Sequence, residues 1–333
     1  MHRLLALTFA LSLVLSAQTL LRAADDGKNP GAITDPAKAD PDFQVQGDYL
    51  GEIGLLVDKQ TLSLQVIAMG GGKFNSYDYL GGPPGEGGRR LDDLRNVVQG
   101  ETKKDGVTYF PTADLTLKLK NGVVTATNSD DKIVLNLKRI ERKSPTLGAE
   151  PPEGAIVLFD GKNADGWTGG KLTPDKLLAA GCVSKKEFKD FKLHLEFQTP
   201  YMPTARGQAR GNSGVYLQNR YELQVLDSFG LSGTDTECGA FYTLRGPAVN
   251  MCYPPLSWQT YDIDFKAARF DDTGKKTAKA LVTVQHNGVT IFDKLELRGS
   301  TPGGQAESDK PGPIQLQDHG DPVRYRNIWV VEK

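Results

Sequence analysis

Residues 191–197, Phe-Lys-Leu-His-Leu-Glu-Phe, alternate apolar and polar side chains without a break. A period of two places all the apolar groups on one face only if the backbone is extended; in a helix the same residues would scatter around the axis. The pattern recurs, less strictly, at Tyr221–Asp227, Gly312–His319, Leu62–Ile67, Leu115–Leu119 and Ile133–Leu137. Further short apolar runs at 156–159, 215–218, 260–265, 280–286 and 326–331 also suit strands. Asn121-Gly122 and Asn287-Gly288 separate such runs by two residues, the strongest short hairpin signal a sequence offers. Chains of this kind bury one face of each strand, so the expected class is all-β, with a β-sandwich over the second half of the chain. One helix is expected, with Thr173 as cap, Pro174 in its first turn, residues 175–180 as its body and Gly181 as its stop.

The 333 residues allow two domains of roughly 100–200 residues each. Lys+Arg 40 against Asp+Glu 41 leaves no basic excess, which argues against a nucleic-acid partner. Residues 1–24 join a basic start to a short apolar run and a small-residue exit, an export signal that Arg22 keeps short of a membrane span. The mature protein is therefore expected in the periplasm or outside the cell, with no transmembrane segment once the signal is removed. Polar residues 25–41 read as a flexible tether and 42–141 as a small β domain of unknown role. Proline-rich residues 142–153 read as a linker, and 154–333 as the sandwich. Gly70-Gly71-Gly72-Lys73 lacks the spacing and the Ser or Thr of a phosphate loop and reads as a turn; no nucleotide or organic cofactor is expected. Of the three cysteines, Cys238 and Cys252 are close enough in sequence to pair, leaving Cys182 free, and three buried thiols fit equally well. Trp167 and Trp258 read as packing residues, and His286 as part of a hairpin.

Strand alternation also picks out the residues free to do chemistry. Lys192, His194 and Glu196 share one face, Glu222 and Gln224 another, and Gln315, Gln317 and His319 a third, all opposite apolar rows. A sandwich core takes one face of each sheet, so these rows lie outside it. Amide, carboxylate and imidazole groups beside aromatics suit a carbohydrate, whose hydroxyls take paired hydrogen bonds.

Five blocks carry a resemblance. They are Leu158-Phe159-Asp160-Gly161-Lys162 with Gly166-Trp167, then Asn212-Ser213-Gly214-Val215-Tyr216-Leu217, Tyr221–Asp227, Trp258–Ile263, and Leu316–Gly320 with Val323–Ile328. In this order, over residues 154–333, the chain resembles the 3-keto-disaccharide hydrolase domain family. The resemblance implies a concanavalin A-like, lectin-like jelly roll acting on glycosides whose sugar carries a ketone at carbon 3. That ketone acidifies the hydrogen on carbon 2, so a base can form an enolate that expels the aglycone before water adds back. Such a site needs a base, an acid and a group that stabilises the enolate oxygen. Glu196, Glu222 and His319 are the candidate acid and base, and Arg326 the candidate enolate partner. Asn212, Gln224 and Gln317 would hold sugar hydroxyls, and Arg206 and Arg210, on a loop over the cleft mouth, would reach the ligand. His194, Glu196 and His319 are an alternative set for a divalent metal ion. A non-catalytic carbohydrate-binding module is the competing reading, and the oligomeric state is left open.

Overall fold

A computed structural model of the chain describes residues 31–53, 60–90, 97–112, 115–127 and 132–333; the expected export signal lies outside these residues. Nine strands form the first sheet: β1 (Gly47–Ile53), β2 (Gln60–Gly70), β3 (Lys73–Leu80), β4 (Arg89–Arg90), β5 (Val98–Thr102), β6 (Thr108–Pro111), β7 (Thr116–Lys120), β8 (Val123–Thr127) and β9 (Ile133–Ile140). Their order is β2-β1-β9-β8-β7-β6-β5-β3, and β3 pairs back onto β2, which closes an eight-stranded barrel with β4 outside it. Inward residues such as Tyr49, Leu64, Phe74, Phe110 and Leu137 fill it. At the β7–β8 turn Asn121 and Gly122 both take positive φ, 50° and 75°, as the Asn-Gly signal requires. The three glycines after Met69 likewise form the β2–β3 turn, each with positive φ.

The rest of the chain supplies β10 (Ile156–Phe159), β11 (Trp167–Thr168), β12 (Leu178–Ala179), β13 (Cys182–Phe188), β14 (Phe191–Gln198), β15 (Ser213–Leu217), β16 (Tyr221–Val225) and β17 (Gln259–Lys266). A small ribbon, β18 (Arg269–Phe270) with β19 (Lys276–Ala278), precedes β20 (Ala280–His286), β21 (Val289–Leu297), β22 (Gly312–Leu316) and β23 (Arg324–Glu332). One sheet runs β10-β23-β14-β17-β20-β21, with β12 also on β23; the other runs β11-β13-β22-β15-β16. Between them lies one apolar cluster that includes Leu193, Leu195, Phe197, Leu223, Val225, Ile314 and Leu316. The molecule is all-β, a barrel followed by a sandwich.

Several expectations need correcting. No helix forms over 173–181: Lys176 takes φ 60°, the chain turns, and Leu178–Ala179 pair with β23 instead. The pull of a fully buried Leu178 on the sheet edge outweighs a short capped helix with only one burying face. The second half of the supposed tether is anchored, for Ile33 bridges to Tyr201, whose hydroxyl bonds to Asp40 at 2.8 Å. Tyr201 itself enters the barrel's apolar cluster, while Ile67, Tyr77 and Tyr79 of the barrel pack into the sandwich's. The supposed linker is also fixed: Ser144, Thr146, Gly148 and Ala149 all hydrogen-bond to the sandwich. All three cysteines are free and buried.

Candidate active site

Alternation on β14 and β16 sends Leu195 and Leu223 into the shared core, so Glu196 and Glu222 point out of the sandwich in opposite directions. The expected catalytic set therefore divides between two polar clusters, one on each outer face.

The first is built across β14, β17 and β23, where His194 stands in register with Asp262 and Trp329, and Glu196 with Thr260 and Arg326. A bulge between the His194–Trp329 and Glu196–Arg326 pairs leaves Asn327 at φ 45°, a conformation asparagine tolerates, with its amide turned onto Glu196 Oε1 at 3.0 Å. That oxygen also accepts the Gly148 N–H at 2.6 Å, and Oε2 accepts the Arg326 guanidinium at 2.6 Å. His194 Nδ1 lies 2.6 Å from Asp262, its ring stacks on Trp329, and Arg326 in turn covers Trp258. Burial works to raise the Glu196 pKa, but the His194 imidazole 3.8 Å away and the hydrogen bonds from Asn327, Gly148 and Arg326 outweigh it and hold the carboxylate at about 2. Burial likewise opposes charge on His194, yet Asp262 and Glu196 raise its pKa. Three protein donors engage Glu196, and Gly148 and Ala149 lie against it and Asn327. The arrangement suits a clamp that ties down the connecting segment.

The second cluster is built on β15, β16 and β22. Tyr216 is in register with Glu222, and Gly214 with Gln224. The Gln317 N–H bonds to the Gly214 carbonyl at 2.8 Å, which brings the amide of Gln317 beside them. Glycine at 214 makes room for the carboxyl, since a Cβ there would come within 2.2 Å of Glu222 Oε1 and force that side chain to move. The Tyr216 hydroxyl donates to Glu222 Oε2 at 2.8 Å and receives the Gln317 amide at 3.4 Å. Gln208 Oε1 accepts the amide groups of both Asn212 and Gln224, at 3.1 and 2.9 Å. In this cluster three buried oxygens, Asn212 Oδ1, Gln224 Oε1 and Gln317 Oε1, have no partner among the described residues. Among the described residues Glu222 has no cation against it: burial raises its pKa to about 7, only partly offset by Tyr216 and Gln317. Burial also raises the Tyr216 pKa, which keeps it a phenol and a donor.

Of the expected residues, Glu222, Gln224, Gln317 and Asn212 gather here. Glu196, His194 and Arg326 lie on the opposite face. His319 is exposed on the turn past β22 rather than buried with the cluster, so His194, Glu196 and His319 do not converge on one metal. Among the described residues no group of three His, Cys, Asp or Glu side chains is arranged to hold a metal ion. Arg210 is engaged by Asp227 at 2.7 Å, and Arg206 points to backbone carbonyls. A hollow of ≈ 630 Å³ on the barrel, lined in part by Met69, Phe74, Tyr109 and Arg206, contains none of either cluster. Sequence reasoning missed Tyr216, although it alternates with Gly214 in the same short motif. It also missed Asp262 and Asn327, whose roles need a register and a bulge that no local pattern reveals.

Residues 154–331 match the model of the 3-keto-alpha-glucoside-1,2-lyase-like domain. The chain belongs to this family. The match spans the whole sandwich and leaves the barrel outside it. A solved structure from Parabacteroides distasonis ATCC 8503, provisionally described as a glycosyl hydrolase, is 33% identical; the alignment covers 55% of this chain and 85% of that one, with a TM-score of 0.51. A second protein of that organism, described in the same way, is 20% identical over 54% of this chain and 94% of its own, with a TM-score of 0.39. No curated protein matches the sequence. Family and neighbour together support a glycoside-acting enzyme built on this sandwich, and a carbohydrate as the substrate class.

Proposed function

We propose that the chain is exported and cleaves 3-keto-glycosides by elimination and hydration, with Glu222 as the group that moves the proton. The observation that carries this reading is a buried carboxyl poised near neutrality beside three unpartnered acceptors. Each buried polar atom left unpaired costs about 1–3 kcal/mol, so the three oxygens favour a ligand with several hydroxyl donors, as a sugar has. A carboxyl with a pKa near 7 is also matched to taking and returning a proton at neutral pH. Glu222 removes the hydrogen from carbon 2, and the C–H electron pair forms the enolate of the carbon-3 ketone. Protonated Glu222 no longer needs the Tyr216 hydroxyl as a donor, which frees the phenol for the enolate oxygen. The enolate then re-forms the ketone, the C1–C2 double bond appears, the C1–O bond breaks, and the aglycone oxygen takes the proton held by Glu222, which returns the carboxylate. Water adds its oxygen to carbon 1 and its hydrogen to carbon 2, which completes a net hydrolysis. Paired carboxylates of the usual glycosidase spacing are not required, since no oxocarbenium-like state is passed through.

Purified protein incubated with a 3-keto-glucoside, with and without chelator, is expected to release the aglycone, and Glu222→Gln to lower turnover roughly a hundredfold with folding intact. The chelator arm reads any dependence on a divalent metal ion. Saturable binding without release, in both arms, overturns the catalytic reading in favour of a carbohydrate-binding module.

A further inference from the structure

The barrel lies outside the family's domain, yet two of its carbonyls reach the candidate site through one loop. Strand β2 ends at Ala68, Met69 and Gly70, against residues 203–210 of the sandwich. Arg206 Nη2 donates to the Met69 carbonyl at 2.9 Å, while its Nη1 holds the loop's own Pro203 and Ala205 carbonyls at 2.6 and 2.7 Å. Arg210 Nη1 donates to the Ala68 carbonyl at 3.2 Å while its Nε is held by Asp227. Contact is close enough that a Cβ on Gly70 would come within 2.8 Å of Thr204 Cγ2. Between the two arginines stands Gln208. Its Nε2 donates to the Thr236 carbonyl at 2.8 Å, so its Oε1 must face the site, where it accepts from both Asn212 and Gln224. An amide has one donor end and one acceptor end. Residue 208 takes the donor end of both amides, of Gln224 with its side-chain Oε1 and of Asn212 with that oxygen and its backbone carbonyl, at 2.8 Å, and so leaves Asn212 Oδ1 and Gln224 Oε1 without a protein partner.

We propose that Gln208 is a positioning residue that sets the acceptor pattern of the site, and that the barrel holds it in place through Arg206 and Arg210. The inference rests on the 3-keto-glycoside reading for its substrate and on the loop geometry for everything else. Without the barrel the loop loses both carbonyl anchors, and the amides are free to flip and present donors where a sugar hydroxyl needs acceptors. The barrel is then a part of the site's architecture.

The test uses the full chain. Gln208→Leu is expected to raise KM for a 3-keto-glucoside about tenfold with kcat within about twofold, because ligand hydroxyls are held before and during reaction alike. Gln208→Glu, which keeps the acceptor for both amides but gives up the donor to the Thr236 carbonyl, is expected to recover part of that loss. Arg206→Ala, an exposed change, is expected to raise KM in the same direction with an unchanged thermal midpoint, and to add little in a Gln208→Leu background. Hydrogen exchange over residues 203–212 is expected to quicken several-fold in Arg206→Ala. Fully additive KM effects, or a Gln208→Glu variant as impaired as Gln208→Leu, overturn the proposal. Unaltered exchange in Arg206→Ala overturns it without reference to any substrate. A wild-type protein that releases no aglycone counts against the functional reading alone, and hydrogen exchange then decides the anchoring.

Discussion

Glu196 and Glu222 are the same residue type, each nearly inaccessible and each on an outer face of the same sandwich, yet they end in opposite states. Glu196 gathers a backbone N–H, an asparagine amide and a guanidinium, with an imidazole beside it, and its carboxylate is held down at about 2. Glu222 receives a phenol, has the Gln317 amide beside it and, among the described residues, no cation, and is pushed up to about 7. Burial alone opposes ionisation at both; what separates them is the charge and number of the donors. A carboxylate engaged by several donors of the protein itself serves to hold the fold together. One kept near neutrality beside unfilled acceptors can exchange a proton. Buried acid residues therefore signal a site only when their partners are counted.

That contrast can be broken by exchanging the two losses. Glu196→Ala leaves the Arg326 guanidinium, the Asn327 amide and the Gly148 N–H without their acceptor. About 3–5 kcal/mol is typical when one partner of a buried pair is removed, and the partial exposure of Arg326 points to the lower end, about 3 kcal/mol. Chemical denaturation is expected to show this loss, while turnover per folded molecule stays within about twofold. Glu222→Gln is expected to do the reverse. A Glu196→Ala protein of wild-type stability that cannot turn over substrate would refute the assignment of the two faces.

The pH dependences sharpen the same comparison and run in opposite senses. The folded pKa of Glu196 is depressed, so its stabilising contribution is present above its ordinary value of 4.5 and drains away as pH falls toward about 2. The folded pKa of Glu222 is raised, so its contribution is present below 4.5 and is lost as pH rises toward about 7. Denaturation midpoints of Glu196→Gln are expected to be flatter than wild type below pH 4.5, and those of Glu222→Gln flatter between pH 4.5 and 7. Turnover is expected to climb with pH and level off above about 7, as the Glu222 carboxylate becomes available as a base. A midpoint near 4.5 would point to an unburied carboxylate instead.

How much of this was legible beforehand follows the range of each interaction. Strand positions, both Asn-Gly turns and the rejection of a phosphate loop rest on neighbours in sequence, and they were readable. The faces of Glu196, Glu222 and Gln224 were readable too, because alternation is local. Which sheet each strand joins depends on pairings over a hundred residues apart, such as His194 with Trp329, and alternation cannot supply them. Glu196 and Glu222 therefore looked equivalent. Residues 142–153 read as a linker because prolines and glycines mark irregular backbone, and they are irregular. Nothing in that composition shows that irregular backbone can carry a donor that engages a carboxylate on another element.

The smallest effect comes from that connecting segment. Thr146 Oγ1 donates to Asp262 Oδ2 at 2.6 Å and lies 2.9 Å from Thr260 Oγ1, and Asp262 in turn bonds to His194. Thr146→Val keeps the shape and removes only the hydroxyl, so about 1 kcal/mol of stability should go with it, typical of one intramolecular hydrogen bond. Because Asp262 is a main support of the raised His194 pKa, and loses a donor that competes for its charge, that pKa should rise further. A group with a raised folded pKa stabilises most below its ordinary value of 6.5, so the deficit of Thr146→Val should narrow at acid pH and widen as His194 loses its proton. Denaturation at two pH values on either side of that transition, with the His194 ring followed by NMR, checks both signs. A deficit that is the same at both, with an unmoved imidazole titration, would mean that the hydroxyl serves the turn at 144–147 alone and that the clamp on Glu196 is not coupled to the segment that lies against it.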